Sequence, residues 1–249
     1  MLKLPLPIIL SLSRSMATTP EIPNVLRTIE LPDYSKTWPF SSDDLRRQDE
    51  SSDSDFYASP RFVAHIDEEC ITALTDVYSH IFEKDDDVLD LCSSWISHFP
   101  SSPLLRNVVG VGMNEQELAR NLRLSSHVVQ DLNLNSFLPF EDHSFDKVVN
   151  AVSVDYLAKP QEVFQEIFRV LKPGGVVAMS WSNRMFPTKV VNIWLRSSEE
   201  ERVKIVQSYF LTCGMRYENV VGYQILTKGV DPLYVVIANK PLSEDKSSL

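Results

Sequence analysis

Cysteine, glycine and basic charge are the scarce ingredients of this chain of 249 residues. The three cysteines, Cys70, Cys92 and Cys213, stand far apart. That usage suits a reducing compartment and argues against a disulfide framework or a zinc site. Lys and Arg number 24 against 34 Asp and Glu, giving a formal charge of −10. Such a balance offers no basic footprint for a nucleic-acid backbone. No apolar run approaches the roughly 20 residues that a membrane-spanning helix needs. Glycine occurs 7 times and is absent from the turn after the first predicted parallel strand. The Gly-x-Gly-x-x-Gly fingerprint of a dinucleotide site is therefore missing there, which argues against a nicotinamide-dependent oxidoreductase.

What is present is a hydrophobic fraction of 43%, ample for the core of one large domain with attachments. Residues 1–19 hold Lys3 and Arg14, several Ser and Thr, and no acid before Glu21. An acid-poor, Ser-containing basic leader reads as a transit peptide for a plastid or mitochondrion, and equally as an unstructured extension with the start at Met16, which would leave the protein cytoplasmic. Residues 20–86 read as an N-terminal arm and a cap helix. Pro20, Pro23, Pro32 and Pro39 punctuate the arm, which is mostly irregular, and Trp38-Pro39-Phe40 is expected to pack across the domain. Ile66, Ile71, Leu74, Val77, Tyr78 and Ile81 recur at helical spacing, predicting a helix over 65–82.

From residue 87 to 240 strands and helices alternate. Short apolar runs predict parallel strands at 88–91, 107–111, 127–130, 145–150 and 176–180. Helices are expected from Glu115 to Asn121, with Asn114 as N-cap, from Pro160 to Leu171, and from Glu199 to Leu211. The last two strands, about 217–227 and 233–239, are close enough in sequence to pair as a hairpin. The expected architecture is a Rossmann-like, doubly wound α/β sheet of seven mostly parallel strands, with an antiparallel C-terminal hairpin. Residues 241–249 read as a disordered tail.

In such a sheet ligands bind outside the carboxyl ends of the strands. Leu138-Pro139-Phe140-Glu141-Asp142-His143-Ser144-Phe145-Asp146-Lys147-Val148 and Glu166-Ile167-Phe168-Arg169-Val170-Leu171-Lys172-Pro173-Gly174-Gly175, at this separation, resemble the class I S-adenosylmethionine-dependent methyltransferases of the small-molecule, type 11-like kind. The combination is similar to a branch of that superfamily shared by plants and photosynthetic bacteria. The resemblance implies S-adenosylmethionine as cofactor and an acid at the end of the first parallel strand, followed by glycines. Asp90 matches the acid; Cys92, Ser94 and Ile96 stand where the glycines belong. Ser93, Ser94 and Ser97 offer hydroxyls in exchange. The acid expected on the ribose falls on Gly112, with Asn114 the nearest polar substitute, itself readable as just a helix cap, and Glu115 a weaker one. Asp131, with the amide of Leu132, matches the adenine position, and Asn150 lines the same mouth.

For the acceptor, Trp95 and the run after the fifth strand carrying Asn183, Arg184 and Lys189 imply an aromatic mouth with cations, suited to an anionic small molecule. His98 and Asp155 are candidate bases, His98 placed in a turn or first helical turn, and Tyr156 is placed near the methyl group. No metal ligands are expected. The degenerate turn leaves a second reading open: a methyltransferase-fold protein without catalysis, serving as a binding or scaffold subunit.

Overall fold

The computed structural model describes residues 20–32 and 37–242. The predicted leader (1–19) and the tail from residue 243 lie outside the described residues. In chain order the elements are β1 (Val25–Ile29), α1 (Asp53–Phe56), α2 (Glu68–Ile81), β2 (Asp87–Leu91), β3 (Asn107–Gly112), α3 (Glu115–Leu118), β4 (Ser126–Val129), β5 (Phe145–Ala151), α4 (Pro160–Val170), β6 (Leu171–Trp181), α5 (Asn192–Leu195), α6 (Glu199–Thr212), β7 (Glu218–Ile225) and β8 (Leu233–Asn239). A single 3-10 turn, Val154–Tyr156, follows β5.

The sheet has eight strands in the order β1-β7-β8-β6-β5-β2-β3-β4. β4, β3, β2, β5 and β6 run parallel, whereas β6 with β8 and β7 with β8 are antiparallel. This is the predicted sheet with one strand more. The extra strand, β1, lies in the segment read as irregular and pairs antiparallel with β7. Only Ile29 of its five residues is buried. Hydrogen bonding at an open edge, rather than burial, makes it a strand, so no alternation of apolar residues announces it.

Helices cover both faces. α2 buries Cys70, Leu74, Val77, Tyr78 and Ile81 against Val88, Val108, Ala178 and Val235 of the sheet. Asp67 starts it, its carboxylate accepting from the Cys70 amide at 2.8 Å. The opposite face takes α4, through Val163, Phe164 and Ile167, and α6, which opens with a Ser198/Glu201 capping box. Gly174, at φ +79°, makes the tight turn between α4 and the body of β6. Trp38 and Phe40 clasp Tyr209 of α6, with ring centroids 5.8 and 5.2 Å away, so the arm is packed down as expected.

One helix is shorter than expected, and it borders the mouth beside an irregular crossover. Residues 92–106, between β2 and β3, contain no helix at all. Ser93, Ser94 and Ser97 turn their hydroxyls to other groups, and Pro100 and Pro103 bar continuation. His98 thus sits in an irregular crossover and not in a helical turn. α3 ends at Leu118, and the expected helix up to Asn121 closes in loose turns.

Candidate active site

β2 leaves the sheet centre beside β5, with Asp90 in register with Gly110 and Val149. Chain connections depart from this pair in opposite directions, so a crevice opens at the strand ends. A cavity of about 250 Å³ fills it. The ends of β2, β3 and β4 form its floor, residues 92–99 one wall, the arm from Asp53 to His65 another, and Arg184 to Phe186 a third.

Asp90 is 5% exposed and lines this cavity. Ser93 Oγ and Ser97 Oγ both donate to its Oδ2, at 2.6 and 2.5 Å. Burial outweighs these bonds and pushes the carboxyl up to about 6. The network runs on: Asn121 Nδ2 donates to Ser97 Oγ and to the Ser94 carbonyl, both at 2.8 Å, and Ser94 Oγ donates to Glu117 Oε2 at 2.5 Å. The serines that replace glycines therefore stitch the crossover to Asp90 and α3. Cys92 keeps the glycine-like backbone, at φ +58°.

Gly112 has no room for the expected acid. A Cβ there would run into the Ser93 carbonyl oxygen, and the Ser93 amide donates to the Val111 carbonyl at 2.7 Å. The crossover backbone itself occupies the place of the side chain. Asn114 does not replace it: its Oδ1 caps α3 by accepting from the amides of Gln116 and Glu117, and its Nδ2 donates to the Tyr57 and Ala58 carbonyls. Glu115, the weaker substitute, faces His127 at 3.0 Å instead. The carboxylate that does reach the cavity wall here is Glu117, which accepts from the Arg61 amide at 2.7 Å.

Asp131 and Leu132 line the cavity at the end of β4, and Asp131 Oδ1 accepts from the Asn133 amide at 2.8 Å. Asn150 does not line it. It is fully buried, its Nδ2 donating to the Leu91 carbonyl at 2.9 Å, because the end of β5 is roofed by Ala151 to Ser153.

The residues expected at the acceptor are rearranged more than those expected at the cofactor. Trp95 lines the cavity, its Nε1 donating to the Val63 carbonyl at 3.1 Å. Arg184 lines it too, paired with Asp231 at 2.7 Å. Lys189 does not: at 1% exposure its Nζ is enclosed by Asp49, Asp53 and the Ser51 carbonyl, which pins the arm to the domain. Asn183 is exposed outside the cavity, and Trp181 packs into the core against Trp194. Asp155, 3% exposed, is likewise a core residue, with Oδ1 unpartnered and burial raising its carboxyl to about 7. His98 and Tyr156 are on the cavity wall. Burial lowers the His98 imidazole below its ordinary value, and its Nδ1 has no partner. Tyr156 Oη accepts from the Phe186 amide at 2.8 Å.

The largest omission of the sequence reading is the arm. Asp53, Tyr57, Arg61 and His65 all reach the cavity. The signal for them was Phe56-Tyr57-Ala58-Ser59-Pro60-Arg61, two aromatics and a cation ahead of α2, in a stretch without periodicity.

A five-strand parallel run ending in an antiparallel pair, with an acid at the switch-point strand and another after β4, defines a Rossmann-like methyltransferase fold. Residues 92–179 match a family described as a methyltransferase domain. The chain is 31% identical over 108 residues to 24-methylenesterol C-methyltransferase 2 of Arabidopsis thaliana, covering 41% of this chain and 28% of that protein. It is 30% identical over 66 residues to the malonyl-[acyl-carrier protein] O-methyltransferase of Marinomonas sp. (strain MWYL1), covering 26% of this chain and 24% of that protein. The chain thus spans about a quarter of the length of these curated relatives. Among solved structures, the [4+2]-cyclase SpnF superposes with a TM-score of 0.50 at 15% identity, over 68% of this chain and 81% of that one, a likeness of fold.

Proposed function

We propose that this protein is an S-adenosylmethionine-dependent methyltransferase acting on a small molecule that enters between the arm and residues 92–99. The observation that carries this reading is the cavity at the ends of β2, β3 and β4, walled by Asp90 and Asp131, in a chain whose residues 92–179 match a methyltransferase domain. The residues present fit the cofactor at two of three places. Asp131 and the Leu132 amide would hold the adenine end, and Asp90 with Ser93 the methionine end. At the ribose, Glu117 is the carboxylate within the cavity wall. The cofactor supplies an electrophilic methyl group on a sulfonium. The chain has then to bind, align and exclude water, which is most of what methyl transfer asks of a protein. His98, neutral and with an unpartnered Nδ1, is the group able to take a proton from the acceptor. An anionic acceptor fits Arg184 and Arg61 at the same mouth.

One specific observation favours a second reading, a methyltransferase-fold protein without catalysis: the serine network closes the crossover onto Asp90, and the Ser93 carbonyl fills the ribose-acid position. Isothermal titration of the full chain with S-adenosylmethionine and S-adenosylhomocysteine separates the two. Micromolar binding that is lost in Asp131→Ala is the expected result. No heat at millimolar ligand, from protein shown to be folded, overturns the enzyme reading and leaves the second.

A further inference from the structure

Arg61 is a cavity residue whose bonding is incomplete. Its backbone amide donates to Glu117, and its Nη2 donates to the Phe56 carbonyl at 2.8 Å. Its Nη1 is buried and has no hydrogen-bond partner. Among the described residues no carboxylate forms an ion pair with this guanidinium. Three rings surround it instead: Phe56, Phe186 and Tyr57, with centroids 4.4, 5.3 and 5.5 Å from Cζ. The rings fix its plane and tolerate its charge, but they leave the Nη1 donors unmet. A buried charged donor without an acceptor is costly, so a partner is expected from outside the chain.

The acids of the same cavity show the opposite state. Asp90 accepts from Ser93 and Ser97; Glu117 from Ser94 and Arg61; Asp53 from Arg47 and Asn133 at Oδ2, with the Lys189 ammonium 3.2 Å from its Oδ1. None of them is left to neutralise the guanidinium. A second unpartnered nitrogen, His98 Nδ1, belongs to the same cavity. We propose that Arg61, caged by Phe56, Tyr57 and Phe186, is the carboxylate-binding residue of this cavity, with His98 as a further hydrogen-bond partner of the bound ligand. A carboxylate is favoured over a phosphate. The unmet guanidinium donors are few and lie in one plane, which matches a planar monoanion, whereas a dianion would meet Asp53, Asp90, Glu117 and Asp131 across the cavity. The carboxylate comes either from a small-molecule ligand of the cavity, the acceptor where the protein is a methyltransferase, or from the amino-acid end of S-adenosylmethionine. The second source rests on the methyltransferase reading; the first does not.

The test is isothermal titration of the full chain and of Arg61→Gln and Arg61→Lys with three probes. S-adenosylhomocysteine carries the carboxylate, 5′-methylthioadenosine lacks it, and benzoate supplies a carboxylate alone. If the site takes the cofactor's carboxylate, Arg61→Gln weakens S-adenosylhomocysteine by roughly 10- to 100-fold, leaves 5′-methylthioadenosine unchanged, and Arg61→Lys recovers part of the loss. If it takes the small-molecule ligand's, both nucleosides bind all three proteins alike, while benzoate binds the native protein and is lost in Arg61→Gln. Near-ultraviolet circular dichroism of the ligand-free variants checks that they are folded. A purely structural role for Arg61 lowers melting temperature without changing any of the three affinities, and that result overturns the proposal. The two readings fail separately. Benzoate binding that depends on Arg61, with neither nucleoside binding, keeps the carboxylate site and removes the cofactor.

Discussion

At Gly112 the end of β3 approaches the crossover so closely that Leu118 Cδ2 and the Ser93 carbonyl carbon each stand 3.1 Å from where a Cβ would be, and the Ser93 oxygen nearer still. Gly112→Ala is therefore expected to destabilise the protein by about 1–3 kcal/mol, because backbone and not a flexible side chain must yield; denaturant unfolding measures it. Asp155 carries a prediction with a sign. Its folded carboxyl titrates near 7 against an ordinary 3.8, so the folded state binds the extra proton. Stability falls as pH rises from about 4 through about 7, and deprotonation leaves a charge in the core. Asp155→Asn is expected to melt higher than the native protein at pH 8 and to lose that advantage at pH 5, as thermal scans at the two values would show. Asp90, raised to about 6, adds slope of the same sign.

Among the elements, the crossover of residues 92–106 is the one whose structure the sequence left open between a turn and a helix start. A helix is absent from it because its polar side chains have better partners than its own backbone. Ser97 is the joint, donating to Asp90 and accepting from Asn121. Ser97→Ala leaves the buried Asn121 amide short of an acceptor and removes one donor from Asp90. The expected cost is about 1–3 kcal/mol, with faster amide exchange confined to 92–99 and α3; hydrogen-exchange mass spectrometry resolves that pattern from a uniform loss. α6 behaves as sequence suggests. Its Ser198/Glu201 capping box predicts a loss of about 1 kcal/mol in Ser198→Ala, measurable by chemical denaturation.

The whole molecule depends on a clasp between arm and domain. Lys189, at 1% exposure, meets Asp49 and Asp53, while Arg47 meets Asp53 and forms an isolated bridge with Val191. Lys189→Met removes the cation from two acids and leaves Asp53 dependent on Arg47 and Asn133. The arm is then expected to be cut by protease between residues 40 and 60 far sooner than in the native protein, with the sheet domain surviving as the resistant product. Equal cleavage of both proteins would show that the clasp does not hold the arm. Because Tyr57 and Arg61 belong to that arm, the same substitution should also loosen ligand binding at the cavity.

The sequence by itself determined the sheet, its mostly parallel order, the C-terminal hairpin and the placing of Asp90 and Asp131 at strand ends. These rest on local signals: apolar runs, helical periodicity, and Pro-Gly turns such as Pro173-Gly174. It also showed that glycines were missing after β2, but not what filled their place. That was decided in three dimensions, where Ser93, Ser97, Asn121 and Glu117, up to 27 residues apart along bonds such as Asn121 to Ser94, close one network. β1 escaped notice because an edge strand with one buried residue carries no pattern. Lys189 was expected at the cavity and Arg61 was given no role, for a similar reason. Sequence marks both as cations, and only packing decides which one is spent on holding the arm and which is left facing the cavity with a donor unmet.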